Sequence, residues 1–81
     1  MTDGRIFGSF KLAYQAYDEA AAYLTHSEWV RQVLDSELAK TESLTRLAEL
    51  LEKKRQEQED STKKTDLRIY ITYLNKVNKK S

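Results

Sequence analysis

The chain contains no proline, and its two glycines, Gly4 and Gly8, both lie within the first eight residues. Proline and glycine are the residues that most often mark turns, and the tight hairpins of small β-sheets depend on glycine in particular. The rest of this 81-residue chain therefore lacks the residues that a sheet of several short strands needs. This feature predicts an all-α fold.

The size and composition of the chain predict one folded domain without a membrane span. Eighty-one residues suffice for a single domain, and 40% hydrophobic with 33% charged residues is typical of a globular protein. No apolar run approaches the roughly 18 residues that a span requires, and no targeting segment is recognisable, so a cytoplasmic protein is expected. Cysteine is absent and His26 is the one histidine, so neither a metal site nor a cofactor is predicted.

The first helix is predicted to begin at Ser9, behind a flexible arm formed by residues 1–8. Residues 9–81 then form a single helical domain. Ser9 is a suitable N-cap, and apolar residues recur at helical spacing on one broad face up to about residue 24. The residues of this face are Phe10, Ala13, Tyr14, Tyr17, Ala20, Ala21 and Leu24.

The second helix is predicted to run without interruption over residues 25–58. Thr25 and Glu28 have the spacing of a capping box, in which each side chain binds the backbone N–H of the other residue. The apolar stripe of this helix consists of Trp29, Val30, Val33, Leu34, Leu44, Leu47, Ala48 and Leu51. A break at residues 40–43, with Thr41 capping a further helix, is the alternative, but no glycine or proline requires it.

Residues 66–79 are predicted to form the last helix rather than a strand. A strand over residues 67–73 would have high β-propensity, but the chain offers it no partner strand. As a helix, the segment separates an apolar face from a polar face, and Asp66 or Thr65 would be its N-cap. The apolar face consists of Leu67, Tyr70, Ile71, Leu74 and Val77, widened by Ile69 and Tyr73.

These helices predict a small antiparallel bundle of three helices, or of four if the second one breaks. The long central helix would be the spine on which the first and last helices pack. Those two helices each carry an apolar arc of roughly 200° on a helical wheel, which is wider than one neighbouring helix can cover. The surplus apolar surface predicts a homodimer or an obligate protein partner.

The predicted function is that of a small non-enzymatic regulatory or adaptor protein that binds another protein. The sequence has no phosphate-binding glycine loop and no histidine–cysteine cluster, so no catalytic residue is predicted. Aromatic residues at the edges of apolar faces are suited to protein interfaces. The candidate partner-binding residues are Tyr23, Trp29, Tyr73 and Val77.

The alternative function is nucleic-acid binding through a basic C-terminal helix. The formal net charge of +1 hides an asymmetry, because residues 1–61 carry −4 and residues 62–81 carry +5. A cluster of basic residues on one helix is the electrostatic footprint expected for phosphate binding. The candidate residues are Lys63, Lys64, Arg68, Lys76, Lys79 and Lys80.

Overall fold

The computed structural model describes residues 4–41 and 43–80, with side chains for residues 11–41 and 43–79. Within these ranges the chain forms four α-helices and no strand, so the all-α prediction is confirmed. The helices are α1 (Gly4–Ala20), α2 (Ser27–Leu38), α3 (Leu44–Glu57) and α4 (Ser61–Lys80), and a 3-10 turn (Ala21–Tyr23) follows α1. No helix in this part of the chain is long and apolar enough to cross a membrane.

The first helix begins five residues earlier than predicted, since α1 starts at Gly4 and includes residues 4–8 of the predicted arm. Ser9 therefore lies inside the helix and is not its N-cap. Glycine costs a helix about 1 kcal/mol relative to alanine but does not forbid it, and neither glycine has a positive φ here. Residues 1–3, the remainder of the predicted arm, lie outside the described residues.

The prediction of one continuous helix over residues 25–58 is also wrong. The α2 helix ends at Leu38 and α3 begins at Leu44, so the alternative break is the one that occurs. The cap of α3 is Ser43, whose Oγ accepts a hydrogen bond from the Arg46 N–H at 3.2 Å. Thr41 instead accepts from the Ser43 N–H at 3.1 Å. The break shortens the helices, since 34 helical residues would extend about 51 Å in a molecule whose longest dimension is 42 Å.

The last helix begins five residues earlier than predicted, at Ser61. Its first turn is capped by Asp60, whose Oδ1 accepts from the backbone N–H groups of Thr62 at 2.9 Å and Lys63 at 3.3 Å. Asp66 and Thr65 are therefore not N-caps of this helix. The spacing of apolar residues could not predict the first turn of this helix, because the sequence has no apolar residue between Leu51 and Leu67.

Asp66 instead caps the segment that leads into α2. Its carboxylate is only 1% exposed and accepts the N–H of Thr25 at 3.0 Å and the N–H of His26 at 2.5 Å. The N-cap of α2 is His26, which makes no side-chain capping bond. The predicted capping box is therefore wrong: the N–H of Thr25, which the Glu28 carboxylate was expected to bind, is bound by Asp66.

The spine of the bundle is α4 rather than a central helix. Both α1 and α3 pack along α4, and α2 contacts α3 and α4. At the centre of the core, the buried Tyr70 donates its hydroxyl proton to the backbone oxygen of Ala13 at 2.8 Å. The buried apolar residues are Ala13, Ala16, Ala20, Val30, Leu34, Leu38, Leu44, Leu47, Leu51, Leu67, Tyr70, Ile71, Leu74 and Val77.

Polar contacts fix α1 against α2. The Tyr14 hydroxyl donates to Asp35 Oδ1 at 2.5 Å, and the Tyr17 hydroxyl donates to the Ser27 backbone oxygen at 2.9 Å. The Arg31 guanidinium lies over both tyrosine rings, 4.7 Å and 5.6 Å from their centroids. These cation–π contacts join the two helices, and the pairing of Arg31 with Asp35 at 3.5 Å, within α2, holds the guanidinium in place.

The stability of the fold is expected to fall as the pH rises above about 10, the ordinary tyrosine value. Burial, and to a lesser extent the charge of Tyr14, raises the pKa of Tyr70 in the folded chain. Folding therefore favours the neutral hydroxyl of Tyr70. The contribution of this hydroxyl to stability is fully present at any pH below the pKa that Tyr70 has in the unfolded chain. At higher pH the unfolded chain ionises first, and each such proton lowers the free energy of unfolding by about 1.4 kcal/mol per pH unit.

Urea denaturation of the wild type and of Tyr70→Phe at pH 8, 10 and 11 would measure this effect. The variant should lose about 1 kcal/mol at pH 8, because the bond to the Ala13 oxygen is absent. Its stability should then decline less steeply with pH than that of the wild type. If the free energy of unfolding falls equally steeply with pH in the two proteins, ionisation of Tyr70 is not the cause of the loss of stability at alkaline pH.

Candidate protein-binding surface

Tyr23 is the large hydrophobic side chain that remains exposed in the described part of the chain, with 64% of its surface accessible. It lies at the end of the 3-10 turn that follows α1, and the backbone becomes extended at Leu24. Tightening of the last helical turn to 3-10 geometry is common at helix ends. The turn leads directly into the Thr25–His26 segment held by Asp66, so the position of Tyr23 is fixed from both sides.

Tyr23 stacks on Tyr73 across the seam between α1 and α4. The ring centroids are 6.1 Å apart and the ring planes differ by 13°, which is a stacked arrangement. Tyr73 is partly buried and packs against the core, whereas Tyr23 is outermost. The core therefore supports Tyr73, and Tyr73 supports the exposed ring of Tyr23.

Two charged residues flank this aromatic pair. The Lys76 ammonium lies over the Tyr73 ring, 4.9 Å from its centroid. Glu19 lies one helical turn before Tyr23, and its negative charge acts on the Tyr73 hydroxyl. Desolvation raises the pKa of Tyr73 most, and the neighbouring Tyr23 and Glu19 raise it further. We call Glu19, Tyr23, Tyr73 and Lys76 the tyrosine-pair surface.

The other two candidate partner-binding residues lie elsewhere. Val77 is 7% exposed and belongs to the core, so it offers no surface to a partner. Trp29 is partly buried at the start of α2, and the Lys63 ammonium lies 5.0 Å from its ring centroid. Lys63 and Lys76 are 13 residues apart on α4, which is about 20 Å along the helix axis. Trp29 is therefore separate from the tyrosine-pair surface.

The candidate nucleic-acid residues do not all lie on one face, although the exposed Arg68, Lys76 and Lys79 share a face of α4 at helical spacing. Lys63 contacts Trp29, and Lys76 contacts Tyr73, far along the same helix. Arg68 is exposed, and the surface depression beside it also contains Glu52 of α3, which pairs with Arg55. Lys64 is partly buried and Lys79 is exposed. The side chain of Lys80 lies outside the described residues.

The surplus apolar surface inferred from the wide arcs is not present in α1 from residue 11 onward or in α4 up to residue 79, the parts whose side chains are described. The α4 helix packs against both α1 and α3, and α1 contacts both α4 and α2. Each wide arc is therefore shared between two neighbours within the chain. Among the described residues, the exposed apolar surface that remains is centred on Tyr23.

Two residues that matter at this surface were not predicted from the sequence. Glu19 could have been found, because residues four apart on a helix lie on the same face and Tyr23 follows at that distance. Asp66 had no such local signal, since its partners are 40 and 41 residues away. The described residues contain no group of His, Cys, Asp or Glu side chains that could hold a metal ion. No protein-family model, curated protein or solved structure matches the chain.

Proposed function

We propose that this chain is a small non-enzymatic regulatory or adaptor protein that binds another protein through the tyrosine-pair surface. The observation that carries the proposal is the 64% exposure of Tyr23, held in a stack on Tyr73. Tyrosine combines a large apolar ring with a polar hydroxyl, and it is enriched at protein interfaces.

The stack lowers the cost of binding at this surface. An exposed side chain normally loses rotamer freedom when it enters an interface, at about 0.5–1.5 kcal/mol for a side chain rich in rotamers. Tyr23 is already restrained by Tyr73, and Asp66 restrains the backbone that follows it. Such a preorganised aromatic residue, flanked by one acidic and one basic side chain, is suited to be the anchor of a protein contact.

Nucleic-acid binding remains the second candidate. The exposed Arg68, Lys76 and Lys79 on α4 favour it, because basic side chains on one helix attract phosphate. Glu19, close to Tyr73, opposes it, since its carboxylate would repel a polyanion. The depression beside Arg68 is mixed in charge, because Glu52 pairs there with Arg55. A protein contact uses the same mixed charges without such repulsion.

Photo-crosslinking tests the proposal directly. A benzophenone amino acid is placed at position 23, and in a matched control at Gln32, an exposed residue of α2. Irradiation in cells should give a discrete protein adduct from position 23 but not from position 32. Excess unlabelled wild type should compete with this adduct, whereas excess Tyr23→Asp should not. Arg68→Glu, a change on α4 outside the surface, should compete as the wild type does.

The outcomes separate the two candidate functions. Equal adducts from both positions, or none from position 23, would contradict a specific protein contact at this surface. Binding of labelled DNA or RNA that weakens steeply with salt and is lost in Arg68→Glu would favour the nucleic-acid alternative. Circular dichroism of each variant checks that the helices are retained.

A further inference from the structure

The charges of the tyrosine-pair surface are divided between its two helices. Acidic Asp18 and Glu19 are exposed on α1, and basic Lys76 and Lys79 are exposed on α4. Within the described residues, neither Glu19 nor Lys76 forms an ion pair, and the contact of Lys76 is with the Tyr73 ring. Lys76 lies over the Tyr73 ring, and Glu19 is one helical turn before Tyr23, which stacks on that ring, so the two charged residues flank the same aromatic pair. The surface thus has an acidic edge and a basic edge, separated by the aromatic pair.

We propose that the partner of this surface is a second copy of the same chain, related by a two-fold axis that runs along the seam between α1 and α4. Such an axis places α1 of one protomer opposite α4 of its partner. Glu19 of each copy then meets Lys76 of the other, and the two tyrosine pairs meet at the centre. Two-fold interfaces are self-complementary in this way.

The charge pattern selects this axis over the other two-fold arrangement. An axis perpendicular to the seam would place α1 against α1, with Glu19 opposite Glu19, and like charges at an interface oppose association. Gln15 and Ala22, the neighbours of Glu19 at its helix edge, are uncharged, and Lys79, one turn after Lys76, has the same sign as Lys76 and extends the basic edge. The aromatic centre supplies the apolar contact, and the two ion pairs set the orientation.

This inference rests on the proposed function, because it names the partner of the same surface. A charge-swap experiment tests it by analytical ultracentrifugation over a concentration series. The wild type should dimerise. Lys76→Glu and Glu19→Lys should each weaken dimerisation at least about tenfold, because each places like charges opposite each other twice. Lys54→Glu, the same charge change at an exposed residue of α3, should leave dimerisation unchanged.

The decisive measurement is an equimolar mixture of the two weakened variants. In the mixed dimer, Glu19 of the Lys76→Glu chain faces Lys76 of the Glu19→Lys chain. The two introduced side chains, one acidic and one basic, face each other as well, so both pairs are attractive again. The mixture should associate as tightly as the wild type, a recovery that damage to the fold of either variant cannot produce.

Two results would overturn the inference. The first is that the wild type stays monomeric up to roughly 1 mM. The second is that the equimolar mixture dimerises no more tightly than either variant does alone. If position 23 still crosslinks to a different protein in cells, the proposed function stands and the occupant is that protein. If position 23 gives no specific adduct either, the proposed function falls together with the dimer.

Discussion

Replacing Asp66 by alanine is expected to lower the free energy of unfolding by about 2–4 kcal/mol. Hydrogen bonds to a charged group contribute about 1.5–3 kcal/mol each, and the buried carboxylate accepts two, from the N–H groups of Thr25 and His26. Water can replace part of this at Thr25, which is exposed. The negative charge also lies at the start of α2, where the helix dipole favours it. Urea denaturation followed by circular dichroism measures the loss.

Two control variants make this prediction specific. Asp66→Asn keeps the shape and one acceptor oxygen, so it should lose about half as much as alanine. Thr25→Ala keeps the backbone N–H that Asp66 binds and should change stability by less than about 0.5 kcal/mol. A capping box would instead make Thr25→Ala cost about 1 kcal/mol. A large effect of Thr25→Ala, with none from Asp66→Ala, would show that α2 is capped locally.

Asp66 also links the fold to the candidate binding surface. The segment that it holds begins two residues after Tyr23, and Tyr73 lies two turns further along α4. The same helix therefore fixes the backbone next to one tyrosine and carries the other. Loss of Asp66 should loosen the Tyr23–Tyr73 stack as well as the start of α2.

The buried face of the last helix was predictable because its own residues determine it, whereas its start at Ser61 was not. Apolar residues from Leu67 to Val77 recur at helical spacing, and all five of the face are buried as expected. The break between α2 and α3 was harder to predict, since it depends on whether Ser43 caps a new helix or stays inside an old one. Serine and threonine permit both, because their side chains compete for backbone groups. Packing against α4 decides between them.

The candidate surface was predicted in part. Helical spacing placed Tyr23 and Tyr73 at the edges of two apolar faces, and both are at the surface. Helical spacing could not show that Val77 is buried whereas Tyr73 is partly exposed. The positions of α1 and α3 around α4 decide which edge of the apolar face of α4 is covered. Those positions depend on contacts between residues far apart in the chain, such as Tyr70 with Ala13.

Replacing Leu74 by alanine is expected to have the largest effect of any prediction, a loss of about 2–5 kcal/mol. Leu74 is fully buried on α4, and α4 packs against both α1 and α3. A domain of this length has a total stability of about 4–12 kcal/mol, so this one cavity removes a large share of it. Leu50→Ala, the same change at a partly buried position of α3, should lose clearly less.

Amide hydrogen exchange of Leu74→Ala tests why the loss is large. If α4 is the spine, a cavity in it should speed exchange in α1 and α3 together, because both helices lose support from the same helix. If the central segment of the chain were the spine instead, exchange would be faster in α3, but α1 would stay protected by its packing against that segment. The pattern of exchange therefore distinguishes the two architectures where the size of the loss alone does not, and protection retained in α1 would contradict the role assigned to α4.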